Sequence, residues 1–377
     1  MRRSVIVVGT LMIIFLVVAF AELMAYVKSQ DLIRHGIGFT PLNHTESYES
    51  YVSRHHPRLG WSSAADQVDA TGSRISPAFA DPKQTPACVS LYGNSFTEGY
   101  GVDHEHAWSN VLSQLLNCRV ANFGVAGYGT DQAYLRFLDN RQDKARVVIL
   151  GYLSENLIRN VNQLRNLLGA IPACQLKPRF ILKEAGQLTL VPLPQLTKEQ
   201  FEDLKSRPER VLSQEFFLPG GPSGYQRPGF PYLWGIIKGF PFLYQNMVLQ
   251  QGTYYDLYQP GHPSQALEIT AAIMEEFCRQ ARQRGQQPLV LIMPTHIDVA
   301  RYPRVGKWVY QPLIDMLVER NLNFIDAGPE FIRSQGTALY DPESHYHLTE
   351  EGNRVLAQIV YDYLVRHDVS QRALPAE

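Results

Sequence analysis

Cys88-Val-Ser-Leu-Tyr-Gly-Asn-Ser-Phe-Thr-Glu-Gly99 is the stretch on which the fold turns. Cys88 to Tyr92 reads as a short buried strand, Gly93 ends it, and Ser95 stands between Gly93 and Gly99. A serine on a tight turn at the C-terminal end of a parallel strand exposes its hydroxyl where open α/β sheets bind ligands. Its own N–H, opening the following helix or turn, points the same way and can stabilise a developing oxyanion. A lone Gly-x-Ser is weak evidence, because most serines after strands are caps or turn formers.

The flanking sequence supplies the sheet. Ala107 to Leu116 has helical spacing at Trp108, Val111, Leu112 and Leu115. Arg119 to Phe123 is a second strand, followed by the turn Gly124-Val-Ala-Gly127-Tyr-Gly129, with Thr130 placed to cap the next helix. Val147 to Leu150 is a third strand, with the unbroken hydrophobicity of a strand buried on both faces. A helix from about Ser264 to Arg284 leads to a fourth strand, Leu289 to Met293. Asn323 to Asp326 is a short fifth, and Gly352 to His367 a C-terminal amphipathic helix. Strands alternating with helices predict an α/β fold, a flavodoxin-like parallel sheet flanked by helices.

Two regions fall outside this alternation. Residues 28–86 carry scattered Pro, Gly, Ser and His and read as a juxtamembrane lead-in packed on the domain; His55-His56 fit a surface loop better than a ligand pair. Residues 164–263 form an insertion in a catalytic domain of 87–370. Arg179 to Val191 in it reads as a hairpin around Gly186, and the rest is rich in Pro, Gly and aromatics, among them Phe216, Tyr225, Tyr232, Trp234 and Phe240. Loops this long are usually functional; the plainer reading is a lid over the core. His296 and Asp298 follow the fourth strand and read as surface loop, though they could line the cleft.

The 377 residues are 45% apolar with a formal net charge of -1, which excludes wholesale disorder and gives no nucleic-acid footprint. None of the four cysteines forms a CxxC pair, so no compact zinc site is implied. Buried thiols and disulfides both remain open; Cys88 and Cys118 come within reach of each other if their strands are parallel neighbours. Arg2 and Arg3 precede the charge-free run Val5 to Ala21, which as a helix reaches roughly 25 Å. Extended to Val27 it spans a bilayer, and the positive-inside rule then exports everything after it. Residues 1–27 are therefore expected to be an uncleaved anchor; Ala19-Phe20-Ala21, a small-residue cleavage site, gives the rival reading of a signal peptide.

Taken together, these motifs resemble the SGNH (GDSL) hydrolase family, in chain order, over about residues 87–163 and 287–367. Tyr92 to Gly99 is similar to its nucleophile block, with Asn94 where Asp is more usual, and Ala107-Trp108 falls where the family often has an aromatic helix start. Asn122-Phe-Gly-Val-Ala-Gly127 is similar to the second block, Gly151-Tyr-Leu-Ser-Glu-Asn156 to the third, and His347-Leu-Thr-Glu-Glu-Gly352 to the last. Residues 127–132 and the anchor resemble the exported, membrane-anchored bacterial members. The resemblance implies Ser95 as nucleophile, His347 as its base, and an oxyanion hole from the N–H groups of Ser95 and Gly127 and the side chain of Asn156. Either Glu155 or Asn156 stands at the third-block position; Asn156 is preferred because an amide can donate and a carboxylate cannot. Ser344 occupies the usual place of the acid three residues before the histidine. His347 is then oriented by Asp341, by Glu343, by a backbone carbonyl, or by nothing.

The implied reaction is acyl transfer through an acyl-serine, without metal or cofactor. Water as acceptor makes the protein an esterase, with O-acyl groups of envelope polysaccharide as expected substrate and lipid or small esters as others. A sugar acceptor makes it an O-acetyltransferase served by a membrane acyl-donor partner. An inactive scaffold is the third possibility.

Overall fold

A computed structural model describes residues 2–34, 37–40, 44–169, 171–227, 229–249, 252–341, 343 and 347–367. They fall into two compact units: Met1–His55 with Asn162–Leu176 and Pro194–Thr253, and His56–Val161 with Lys177–Leu193 and Tyr254–Glu377.

The second unit holds a five-stranded parallel sheet. Strands β1 (Val89–Tyr92), β2 (Val120–Asn122), β3 (Val147–Leu153), β6 (Gln287–Met293) and β7 (Phe324–Asp326) lie in the order β2-β1-β3-β6-β7. The hairpin strands β4 (Arg179–Leu182) and β5 (Leu188–Val191) pair antiparallel, as expected. All seven residues of β3 are buried, which is why its sequence is apolar without alternation. Helices Trp108–Leu116 and Glu350–Arg366 pack together, as do Thr130–Asp139 and Ala266–Gln283, and these pairs flank the sheet. This is the flavodoxin-like α/β fold expected from the alternation. The strand order reverses between β1 and β3, so the ligand-binding crevice belongs at their C-terminal ends.

Parallel pairing of Val89 with Val120 brings the preceding cysteines together, and Cys88 and Cys118 form a disulfide with Cα atoms 6.1 Å apart. Cys174 and Cys278 are buried free thiols, each pushed up to about 12 by burial. Within this unit Arg74 donates to the carbonyls of Glu98, Gly99 and Val102 and so fastens the segment before β1 around the chain that follows Ser95.

Three expectations are corrected here. Thr130 is the first helical residue, not the cap; Gly129 takes the cap position and its N–H is satisfied by Gln132. His296 and Asp298 are not loop residues but open the helix His296–Val305, which Thr295 caps. Asp298 is buried, because Thr295, Ser154 and Tyr254 donate to its carboxylate. Burial raises its pKa, and the bonds from Ser154 and Thr295 hold it back.

In the first unit the N-terminal helix runs from Arg2 to Arg34 and is the one described helix long and apolar enough to cross a membrane, from Val5 to Ile33. Such a helix fits an anchor or a signal sequence. Helix Tyr48–Arg54 packs on Phe201 of helix Lys198–Ser206, whose Thr197 and Gln200 form a reciprocal cap. This helix and Tyr232–Leu243 were not expected inside the insertion. Gly235, Gly239 and Pro241 disguise the second, since they break helical patterning in isolation; packing on Phe39 restores it.

Candidate active site

β1 delivers its last residue, Tyr92, to Gly93 and Asn94, and Ser95 opens a one-turn helix, Ser95–Glu98. Asn94 caps that helix: its Oδ1 accepts the N–H groups of Phe96 at 2.9 Å and Thr97 at 3.4 Å. The turn is nested tightly. A Cβ on Gly151 would lie 2.0 Å from Thr97 Oγ1, and one on Gly124 would lie 2.4 Å from the Glu98 nitrogen, so both positions need glycine. Trp108 completes the enclosure, donating its indole N–H to the carbonyls of Phe96 and Thr97.

His347 Nε2 lies 2.9 Å from Ser95 Oγ, within hydrogen-bond reach for proton transfer. The imidazole sits between the rings of Phe96 and Tyr100, with centroid distances of 5.2 and 5.0 Å. Its backbone is held by a bond from the Asp341 N–H to the His347 carbonyl, 2.7 Å, and by the adjoining bridge between Tyr340 and Leu348. Asn353, on the last helix, accepts from the Trp108 N–H at 3.1 Å, tying the two sides of the site.

Asn156 follows β3 and is buried. Its orientation is fixed by a chain of necessity. Two backbone donors commit Asn94 Oδ1 as an acceptor, so Asn94 Nδ2 must donate, and it does, to Asn156 Oδ1 at 2.9 Å. Asn156 Nδ2 is thereby turned away from Asn94, and it is a buried donor that no described group accepts. Such a group is costly unless something arrives to accept it. Glu155, the other candidate at this position, is engaged with Arg159. The base of this loop is held by the buried network in which Ser154 donates to Asp298 while Tyr258 donates to the Ser154 carbonyl.

Gly127 has φ +83°, a left-handed backbone that favours glycine. Its loop leaves β2 alongside β1: Phe123 N–H donates to the Leu91 carbonyl and Val125 N–H to the Gly93 carbonyl. Asn122 Nδ2 donates to the Thr97 and Glu98 carbonyls. Burial raises the Glu98 pKa, and Arg74 opposes the rise.

Asp341 is joined to His347 through the backbone, and its carboxylate accepts the Glu343 N–H at 2.7 Å. Glu343 is exposed. Ser344 and His345 lie outside the described residues. Three contributors escaped sequence reasoning. Asn94 was read only as a variant of a more usual Asp, while Tyr100 and Asn353 carry no local signal.

No family model matches this chain, and no curated protein matches it by sequence. Solved structures similar to it include a member of the lipolytic protein G-D-S-L family from Veillonella parvula, at 11% identity over 74% of this chain and 98% of that one, TM-score 0.35. A lipase/acylhydrolase from Enterococcus faecalis has 11% identity over 77% and 99%, TM-score 0.38. An acetyl-xylooligosaccharide esterase from Geobacillus has 11% identity over 74% and 94%, TM-score 0.35. Identity at this level leaves the chemistry to be argued from the chain's own residues.

Proposed function

We propose that the protein is a serine-dependent carboxylic ester hydrolase of the SGNH type, tethered to a membrane and acting outside the cytoplasm on O-acyl groups of cell-envelope polysaccharide. The observation that carries this reading is the 2.9 Å approach of His347 Nε2 to Ser95 Oγ at the end of β1. Ser95 Oγ attacks the ester carbonyl carbon while His347 Nε2 takes the hydroxyl proton. The oxyanion is met by Asn156 Nδ2 and by the N–H groups of Ser95 and Gly127. Collapse breaks the bond to the alcohol oxygen, which leaves with the proton from His347. Water, deprotonated by His347, then releases the acid and restores Ser95. Asp341 is the carboxylate proposed to support His347 through the backbone pairing of this segment.

Two features support the location. The Arg2–Arg34 helix has an apolar, exposed surface behind two arginines, and the Cys88–Cys118 disulfide suits an oxidising compartment. A tethered domain in that compartment meets envelope glycans first, which is the ground for the substrate class. Ser95→Ala in the full chain tests the mechanism: labelling by a serine-reactive phosphonate and turnover of an activated acetyl ester should both vanish. A phosphonate adduct on any other serine overturns it. Acetyl transfer that depends on an added oligosaccharide would replace the hydrolase by a transferase using the same residues, and silence with and without acceptor would leave an inactive scaffold.

A further inference from the structure

Helix Tyr232–Leu243 is apolar on both faces, and one of them has no cover. On the inner face Gly235 and Gly239 allow close approach to Phe39, and Ile236 and Leu243 join a cluster with Leu32, Ile33 and Phe39. The outer face presents Leu233, Trp234, Ile237 and Phe240, continued by Tyr244 and Val248; Trp234 is 56% exposed and Phe240 61%. Its one charged residue, Lys238, lays its ammonium 5.6 Å from the centre of the Trp234 ring. Soluble surfaces seldom carry so continuous an apolar stripe. Twelve residues span about 18 Å, too short to cross a bilayer; an apolar helix of that length is a core helix or an interfacial one. Only Gly239 of it is buried, which excludes a core helix.

The occupant of the bare face is indicated by what the helix starts from. Glu22 is the first charge after the run Val5 to Ala21, and its carboxylate accepts the N–H groups of Tyr232 at 2.7 Å and Leu233 at 3.4 Å. The Tyr26 and Tyr232 rings meet edge to face 5.0 Å apart. The helix therefore begins at the level where the N-terminal helix runs out of charge-free sequence, and its bare face continues an exposed apolar surface. Glu22 is met there by helix N-terminal donors, which makes its charge tolerable beside hydrocarbon. Tyr26, Tyr232 and Trp234 are of the types enriched at membrane–water interfaces.

We infer that helix Tyr232–Leu243, with its continuation Tyr244–Val248, is a second membrane contact, resting in the interfacial region of the leaflet remote from Arg2 and Arg3. The inference rests on the reading of Arg2–Arg34 as a membrane anchor and is independent of the esterase chemistry. Two contacts in place of one restrain rotation of this unit about the anchor axis.

Tryptophan fluorescence of the full chain in phosphatidylcholine vesicles tests it. Trp61, Trp108 and Trp308 are buried, so Trp234 is the exposed indole, and Trp234→Phe isolates its signal by difference. Lipids brominated near the headgroup should quench most of the Trp234 signal, lipids brominated at the chain end should quench less, and aqueous iodide should have little effect. Phe15→Trp in the Trp234→Phe background reports on the anchor. Quenching of that reporter by lipid, with Trp234 open to iodide, overturns the inference and leaves the anchor standing. No lipid quenching of either removes both. A Trp234 shielded from lipid and iodide alike means that a protein covers the face, and overturns the inference too.

Discussion

Ser95 and His347, the proposed nucleophile and base, reach their 2.9 Å contact from segments held in different ways. On the nucleophile side Asn94, Ser95, Thr97, Asn122 and Asn156 are all buried, and backbone and amide bonds fix each in turn. On the base side His347 is half-buried, carried by a short bridge and held between two rings, one of which, Tyr100, is 50% exposed. Hydrogen bonds between buried groups set direction narrowly, whereas ring packing sets position and tolerates rotation. The difference suits the chemistry. In the proposed reaction the oxyanion donors must be aimed beforehand, because reorganising them during it is costly. In the same proposed reaction His347 must move between Ser95 and the departing alcohol.

Substitutions can break or sharpen this contrast. His347→Ala should have the largest effect, a loss of roughly 10⁴-fold or more in kcat, since it removes the proposed proton acceptor itself. Stopped-time hydrolysis of an activated acetyl ester measures it, and a small loss would mean that another group serves as base. Asn156→Ala should lower kcat by roughly 10²–10³-fold while Ser95 still takes the phosphonate label, because a donor is lost and the nucleophile is kept. Loss of the label as well would show that Asn156 supports the fold of the turn.

Asn94→Asp is the sharper probe of the buried side. The new carboxylate can still cap Phe96 and Thr97, but it sets an oxygen against Asn156 Oδ1. Asn156 must then turn and donate Nδ2 to that carboxylate instead of to the oxyanion. A kcat loss of about tenfold or more is expected, with thermal stability nearly unchanged. In the double variant with Asn156→Ala the two losses should fail to add. Full additivity would separate Asn94 from the orientation of Asn156. The smallest effects belong to the base side: Asp341→Asn and Glu343→Gln should each cost less than about tenfold, far below His347→Ala. Either one matching His347→Ala would reveal a carboxylate that the catalytic step depends on.

The five parallel strands and the 179–191 hairpin were legible from sequence, with small shifts at their ends, because apolar runs and turn residues are local signals. The N-terminal helix was legible for the same reason. The insertion was not. Thr197 and Gln200 did carry a capping signal for helix Lys198–Ser206, but the polar, Pro-rich surroundings masked it. Helix Tyr232–Leu243 takes its stability from Phe39, far away in sequence. Asp298 looked like a surface residue because two of its three donors, Ser154 and Tyr254, lie more than forty positions off.

By itself the sequence determined the five strands and their alternation with helices, hence the parallel sheet, and which blocks bear a serine, an amide and a histidine, since periodicity, glycine turns and caps act over a few residues. Tertiary structure alone decided the partners: Ser95 with His347 across 252 positions, Asn94 with Asn156 across 62, and Cys88 with Cys118 across 30. It also decided which way the Asn156 amide points. An amide has two chemically different ends at nearly the same cost in space, and only the donors and acceptors packed around it select one.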